Sequence, residues 1–532
     1  MKIDRQAIQD LAGELGRPIG TLLALVCAND PFYLSEGRLR DAEWFASIYG
    51  NCGFGSGVHL RRIHYRLIST TAPILLPSGE AYENTERHWN FLCAAAKGAR
   101  YAELVPIEDF VDRRNPRPTV RLADMPAPPT FQVWQPGSSS LDELKLSHAP
   151  FTHFPALQIE GGTLPALFLP ALSALNGKPS QVQPYHLELW AEKTTIADIL
   201  EEIAGRHRLN VVFGLGELSL TACQSLISRI RNNGSRPVRL LYLSDFDPAG
   251  QSMPVAIARK IEWLVRNYAP EVDIQVRPIL LTYEQCVRYP LPRTPIKETE
   301  RRAASFEARF GEGATELDAL EALHPGELRR IIEREIGRYY LDQDELNGWA
   351  DRVAEDTNAK LFRATEAAHA ERADEIEAIT AEFEAIAERA DELRARAEDA
   401  IEPFAERYER LAVLSGKIME RAETLREEME AAIEPINAQY QIDVIEAIES
   451  LQERARPVFA SIADDLRQRG EAVVANLERL EIECDQDDDP LYDSRRDYVR
   501  QIDRYKRFQD KPIAGKRRGR PAKFEGDANG LP

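Results

Sequence analysis

HLELWAE at 186–192 and VRLLYLSDFDPAG at 238–250 decide how this chain reads. Each is a mostly apolar run that ends in acid, and each leads into a helix pattern, TTIADILEEIAGRH (194–207) with a Thr cap and SMPVAIARKIEWLVRNY (252–268). Between them LNVVFGL (209–215) and SLTACQSLISRIRNN (219–233) repeat the alternation, and VDIQVRPILL (272–281) adds a last strand. Nearly continuous apolar strands alternating with helices predict a parallel sheet covered on both faces, within residues 185–290.

In a parallel sheet, functional side chains gather at the C-terminal ends of the strands. That rule brings Glu192, after the first strand, to Asp245 and Asp247, after the third, across a separation of 53 residues between the first two. The Asp-Phe-Asp spacing lets both aspartates project the same way. Clustered carboxylates repel one another and lose hydration, so a hard cation is their natural compensation. Mg²⁺ suits oxygen ligands, with Mn²⁺ as the alternative, and such an ion acts on a phosphodiester. Pro248-Ala249-Gly250 turns the chain into a helix whose free N–H groups face the site. The plainer alternative is that strand-end acids only cap helices and face water.

The flanks are helical. Residues 1–125 read as short helices, among them HLRRIHYRLIST (59–70) with Leu60, Ile63, Leu67 and Ile68 on one side. A basic face on helices of this size suggests a DNA-binding module of the winged-helix or helix-turn-helix kind, and 1–125 reads as a winged-helix-like domain once the resemblance below is added. After the Pro-rich stretch RRNPRPTVRLADMPAPPT (113–130), residues 126–184 read as a linker or accessory segment, and 291–344 as a helical extension. In 345–482, Ile376, Ile379, Phe383, Ile386, Ala390 and Leu393 alternate steps of three and four, the seam of a coiled-coil arm for dimer or partner contact. Pro403 and Pro435 are expected to kink that rod or break it into antiparallel arms. Residues 483–532 read as a disordered tail. The expected fold class is therefore α/β plus α: a winged-helix-like domain, a parallel-sheet domain and a long helical arm.

Net charge is -20, yet residues 341–490 hold 17 Lys and Arg against 41 Asp and Glu, a balance of -24 that leaves +4 for the rest. DNA does not lie along so acidic a rod, but the remainder is free to bind it. The six cysteines are scattered without C-x-x-C spacing, which argues against structural zinc and a disulfide scaffold. MKIDRQAIQD opens no signal peptide, and IGTLLALVCA is too short to span a bilayer. The expected setting is cytoplasmic and nucleoid-associated, with no membrane. No GxxxxGK[ST] loop is visible, so any ATPase is a separate subunit.

ELWAEK (188–193) and LYLSDFDPAG (241–250) resemble the Toprim domain of topoisomerases, primases and related nucleases. More narrowly, they resemble the DNA-cleaving A subunit of topoisomerase VI and its Spo11-like meiotic relatives. In that group a Glu-Lys pair follows the first strand, matched by Glu192 and Lys193. Asp-x-Asp-Pro-x-Gly follows the third, matched by Asp245, Asp247, Pro248 and Gly250. The resemblance implies that Asp247 serves a second or weaker metal. It also implies a preceding winged helix carrying Arg, three residues, then the Tyr that attacks DNA, matched by Arg61 and Tyr65. Arg62 stands where an Asp is common, and His64 where an aromatic often precedes the Tyr. A phenol with a pKa near 10 needs cations beside it, and Arg61 and Arg62 lie within one turn of Tyr65. Arg61, Arg62, His64 and Lys193 are the implied phosphate contacts. Two copies of the chain would cut both strands of duplex DNA, and an ATPase or scaffold subunit would join through the arm. TELDALEALHPGEL (315–328) is similar to a helical element after the Toprim in that group. In the tail, Lys516, Arg517, Arg518 and Arg520 of GKRRGRPAK resemble an AT-hook for the minor groove. Two other readings stand beside this one: a Toprim nuclease using metal-activated water, with Tyr65 structural, and a non-cutting DNA-binding scaffold.

Overall fold

The computed structural model describes residues 3–26, 30–122, 127–135, 141–148, 157–161, 164, 166–179, 182–234, 236–413, 419–478, 480, 482 and 489–509. These form two compact units, the first from 1–125, 182–343 and 480–532, the second from 126–181 and 344–479.

The first unit opens with helices α1 (Arg5–Leu15), α2 (Glu36–Asn51), α3 (Leu60–Ile68) and α4 (Glu86–Tyr101). Helices α2, α3 and α4 share a core of Phe45, Ile63, Leu67, Leu92 and Ala96. Side-chain caps start each of them: Ser35, the His59 ring and Thr85 accept N–H groups from Arg38, Arg61 and His88. A short antiparallel bridge between Leu75 and Ala81 lies between α3 and α4.

The sheet follows, with β1 (His186–Ala191), α5 (Ala197–His207), β2 (Asn210–Phe213), α6 (Leu220–Asn232), β3 (Val238–Leu243), α7 (Pro248–Tyr268) and β4 (Ile274–Leu280). Helix α5 begins three residues after Thr194, and Thr194 does not cap it. A fifth strand, β5 (Tyr492–Asp493), gives the order β2-β1-β3-β4-β5, parallel except for β5. Alternate residues face opposite cores. Trp190, Leu240, Tyr242 and Val276 pack with α6 and α7, whereas Leu189, Leu241 and Leu243 pack with α5 and the helices of 303–336. Thr119 bridges the β2 edge through two hydrogen bonds of 2.9 Å with Val211.

The tail expectation needs correction. Residues 492–509 contribute β5 and the helix Tyr498–Gln509, with Tyr492, Ile502 and Tyr505 fully packed. Polar partners hold this segment. Buried Arg259 of α7 bonds Asp30 at 3.0 Å, Glu262 at 2.8 Å and the Tyr498 hydroxyl at 2.8 Å, and Tyr505 donates to Glu262. The AT-hook-like residues 516–520 lie outside the described residues.

The second unit is built from the helices Gln343–Ala370, Ala373–Val413, Met419–Tyr440 and Ala447–Ala475, with a π-helical stretch Gln441–Glu446 between the last two. Residues 126–184, expected to be a linker or accessory segment, supply two small antiparallel pairings to it, Val133–Trp134 with Ala171–Leu172 and Lys145–His148 with Leu157–Glu160. The coiled-coil seam finds its partner within the chain. Ile379, Ile386 and Leu393 meet Met429, Tyr440, Ile448 and Leu451, and the ion pairs Arg407–Glu428 and Arg389–Asp443 mark an antiparallel hairpin. One helix ends at Val413 and the next begins at Met419, with Pro403 and Pro435 inside them. An interior proline costs about 3 kcal/mol. Each buried seam residue contributes roughly 1.5–3 kcal/mol, so the long seam outweighs the breakers.

Strand β1 carries one buried acid, Glu188. Arg229 grips it through Nε at 2.7 Å and Nη2 at 2.6 Å, while Trp190 Nε1, Asn210 Nδ2 and the His186 ring complete its shell. Burial alone would raise Glu188, but Arg229 and His186 outweigh it and hold the carboxyl well below its ordinary 4.5. Its stabilisation is therefore complete above about pH 4.5 and is lost as pH falls through the lowered folded value. Removing one partner of a buried pair strands the other, so Glu188→Ala is expected to cost about 3–5 kcal/mol at pH 7. Amide hydrogen exchange of β1 and β3 measures this. The gap to wild type should narrow only in acid, and unchanged protection at pH 7 would contradict the account.

Candidate functional site

The order β2-β1-β3 creates a switch point: the chain leaves β1 to one side for β2 and returns on the other side for β3. A crevice opens where the C-terminal ends of such strands diverge. β1 and β3 stay paired to their ends, with Ala191 opposite Leu243 and the Glu192 N–H donating to the Leu243 carbonyl at 3.0 Å. Glu192 thus leaves the sheet beside Ser244 and Asp245, and the Asp245 N–H donates to its carboxylate.

Asp247 is the N-cap of α7 and accepts the Gly250 N–H, with Pro248 in the first turn. Gly250 is demanded by space. A Cβ there would lie 2.0 Å from the Asp245 carbonyl oxygen. The Ser244 hydroxyl closes the turn by donating to the Gly250 carbonyl at 3.1 Å.

The three expected carboxylates therefore gather at one sheet edge, and they feel one another. Burial, then Asp245 and Asp247, push the Glu192 carboxyl up to about 7. Its Oε2 is buried with no hydrogen-bond partner. Asp245 is better served: Lys193 Nζ stands 2.6 Å from Oδ2 and the Leu317 N–H donates to Oδ1 at 2.8 Å. Burial raises Asp245, with Lys193 and that N–H pulling the other way. Burial opposes the charge on Lys193, but Asp245 and Glu316 outweigh it and raise the ammonium pKa.

Two further acids stand here that the sequence reading did not single out. Glu316 Oε2 lies 3.3 Å and Asp318 Oδ2 3.7 Å from Lys193 Nζ. They arrive because Phe246 and Thr315 pair through reciprocal hydrogen bonds of 2.9 Å. The only hint was acid spacing in TELD, and the cross-chain bridge that seats it leaves no local trace.

Among the described residues, no group of three or more His, Cys, Asp or Glu side chains is gathered tightly enough to hold a metal ion as it stands. The reason is visible: Asp245 is turned to Lys193 and Leu317, and Asp247 to Gly250. The donor set itself fits a hard cation. It is all carboxylate oxygen, and Glu192 Oε2 is buried with no hydrogen-bond donor to satisfy it.

The candidate tyrosine lies on α3, whose inner side is Ile63 and Leu67 and whose exposed side carries Arg61, Arg62, Tyr65 and Arg66. Tyr65 is 56% exposed. It borders a cleft of about 260 Å³ with Arg61, His64, Asn84, Thr85, Glu86 and Trp89. The Arg61 guanidinium stands over the Trp89 ring at 5.8 Å. His64, expected at a phosphate, is buried, with Nδ1 2.7 Å from the Tyr82 hydroxyl and Nε2 3.1 Å from Asn84 Oδ1. Both ring nitrogens are engaged, so His64 braces the wall behind Tyr65. Arg66 was not singled out from the sequence, although it lies one position beyond Tyr65 on the same exposed side.

No family model matches this chain, and no curated protein matches it. No helix among the described residues is long and apolar enough to cross a membrane.

Gly250→Ala is expected to force the Asp245 backbone away from the helix start, at about 1–3 kcal/mol as for other overpacked sites. Thermal denaturation reads the cost, and a crystal structure of the variant should find the Asp245 carbonyl displaced. Wild-type stability with an unmoved Asp245 would refute the steric argument.

Proposed function

We propose that this chain is a divalent-metal-dependent DNA-cleaving protein of the topoisomerase VI A-subunit and Spo11-like kind, with a Toprim sheet domain and a winged-helix-like domain bearing Tyr65. One observation carries the reading: an acid with a buried, unpartnered oxygen, Glu192, meets Asp245 and Asp247 at the switch point of a parallel sheet. Glu192, Asp245 and Asp247 would hold the cation, Mg²⁺ or Mn²⁺, which when bound supplies charge stabilisation to the phosphodiester.

The chain's own residues do the rest. The Tyr65 oxygen attacks phosphorus, forming a 5′-phosphotyrosyl bond while the bond to the 3′ oxygen breaks. The phenolic proton passes to water, which reaches the exposed ring, and the leaving 3′ oxygen takes a proton from water. Arg61, Arg62 and Arg66, on the same exposed side of α3, draw in and steady the phosphate backbone. Lys193 adds positive charge beside the acids. Two copies would place Tyr65 of one beside the acids of the other and cut both strands, and strand passage would need a separate ATPase subunit. The setting that follows is DNA-bound, at the nucleoid within the cytoplasm.

The test is incubation of supercoiled DNA with Mg²⁺ or Mn²⁺, then denaturation and a search for protein linked to 5′ ends. Wild type should give linked protein. Tyr65→Phe should give neither breaks nor adduct. Glu192→Ala should slow cleavage on the order of a thousandfold, since a metal centre contributes several kcal/mol and each 1.36 kcal/mol is about tenfold. Breaks that survive Tyr65→Phe but need Glu192 would identify water as the nucleophile. Binding without breaks in any variant would leave a DNA-holding scaffold.

A further inference from the structure

One ammonium, Lys193, faces three carboxylates: Asp245 at 2.6 Å, Glu316 at 3.3 Å and Asp318 at 3.7 Å. One carboxylate would neutralise it. Asp245 is the innermost of the three, with only 8% of its side chain exposed, whereas Glu316 and Asp318 are 57% and 39% exposed. The ammonium therefore sits between an inner seat, which belongs to the metal centre, and an outer seat half in water. A lysine suits such a position, because it is a compact charge on a flexible stem with donors that re-aim freely. Glu192 and Asp247 both act on the same inner space as Asp245, and the ammonium stands against the Asp245 side of it.

An ammonium and a divalent cation cannot share Asp245 Oδ2 without strong repulsion. We infer that Lys193 is the counter-cation of the free acidic centre, that it leaves Asp245 when a divalent cation binds, and that Glu316 and Asp318 then receive it. This rests on the metal reading proposed above and adds a role for two acids outside it. The exchange keeps the free centre from standing as an uncompensated cluster of negative charge. It also keeps a positive charge at the rim after loading, because Phe246 and Thr315 hold the outer acids against the Asp245 turn. Cation binding and lysine displacement are then two sides of one coupling free energy.

Mn²⁺ binding to the full chain, followed by electron paramagnetic resonance without DNA, tests this apart from activity. Lys193→Met removes the competitor, so Mn²⁺ should bind more tightly, on the order of tenfold, within the usual range of such couplings. Lys193→Gln should do the same, and amide exchange of β1 confirms that both variants are folded. The pair Glu316→Gln with Asp318→Asn should weaken Mn²⁺ in the wild-type background and much less beside Lys193→Met, because no ammonium then needs the outer seat. Unchanged or weaker binding in Lys193→Met would overturn the inference, as would an equal loss from the outer pair in both backgrounds. Binding that needs Glu192 but ignores Lys193 would sink the exchange alone. Mn²⁺ binding to no variant would sink the metal reading with it, and a lysine effect without DNA cleavage would spare the exchange and remove only the cleavage chemistry.

Discussion

The parallel pairing of β1 with β3 is the constraint on which the rest of the first unit depends. It runs in register from His186 opposite Val238 to Ala191 opposite Leu243. Because the pairing is maintained to the last residue, Glu192 and Asp245 leave the sheet side by side. Because β2 lies on the other side of β1, both acids come out where the connections to β2 and β3 diverge. The Glu188 cluster anchors β1 from below: Arg229 from α6 and Asn210 from β2 both close on its carboxylate. A slip of one residue would turn Glu188 toward an apolar core and carry Glu192 away from Asp245.

Gathering acids at this edge has an energetic cost, and the local architecture offsets most of it. The Asp245 carboxylate takes a backbone N–H from Leu317 and an ammonium from Lys193, and Asp247 takes the Gly250 N–H at the positive end of α7. What remains is one oxygen of Glu192, buried and unpartnered, on a carboxyl whose proton is held up to about pH 7. Buried Arg259, by contrast, is met by Asp30, Glu262 and the Tyr498 hydroxyl. The acidic edge is not satisfied in this way, and the proposed metal role starts from that contrast.

The second unit follows a different logic. Its hairpin is held by an apolar seam and edged by ion pairs, and the seam is closed by the chain's own returning helix. The coiled-coil pattern therefore accounts for the hairpin itself and leaves the outer acidic faces as the surface available to another protein. Charge is segregated accordingly. The acid is concentrated in 341–490, and the arginine-bearing α3 and the sheet edge belong to the nearly neutral remainder.

Local patterns decided much of this protein from sequence alone. Strand–helix alternation, the parallel direction of four strands, the helix at LRRIHYRLI and the 3–4 seam at 376–393 all follow from side-chain periodicity, which each residue shares with near neighbours. The meeting of Glu192 with Asp245 and Asp247 was legible too, because strand ends in a parallel sheet lie at one edge whatever the details. Only the tertiary structure decided the rest. That Glu316 and Asp318 reach Lys193, that His64 turns inward to Tyr82 and Asn84, that residues 492–509 return to add β5 and a packed helix, and that the seam pairs with its own chain past two prolines are all set by contacts between distant segments. Such contacts depend on packing free energy summed over a whole core, which outweighs the local preferences of any one stretch and leaves no mark in its residue pattern.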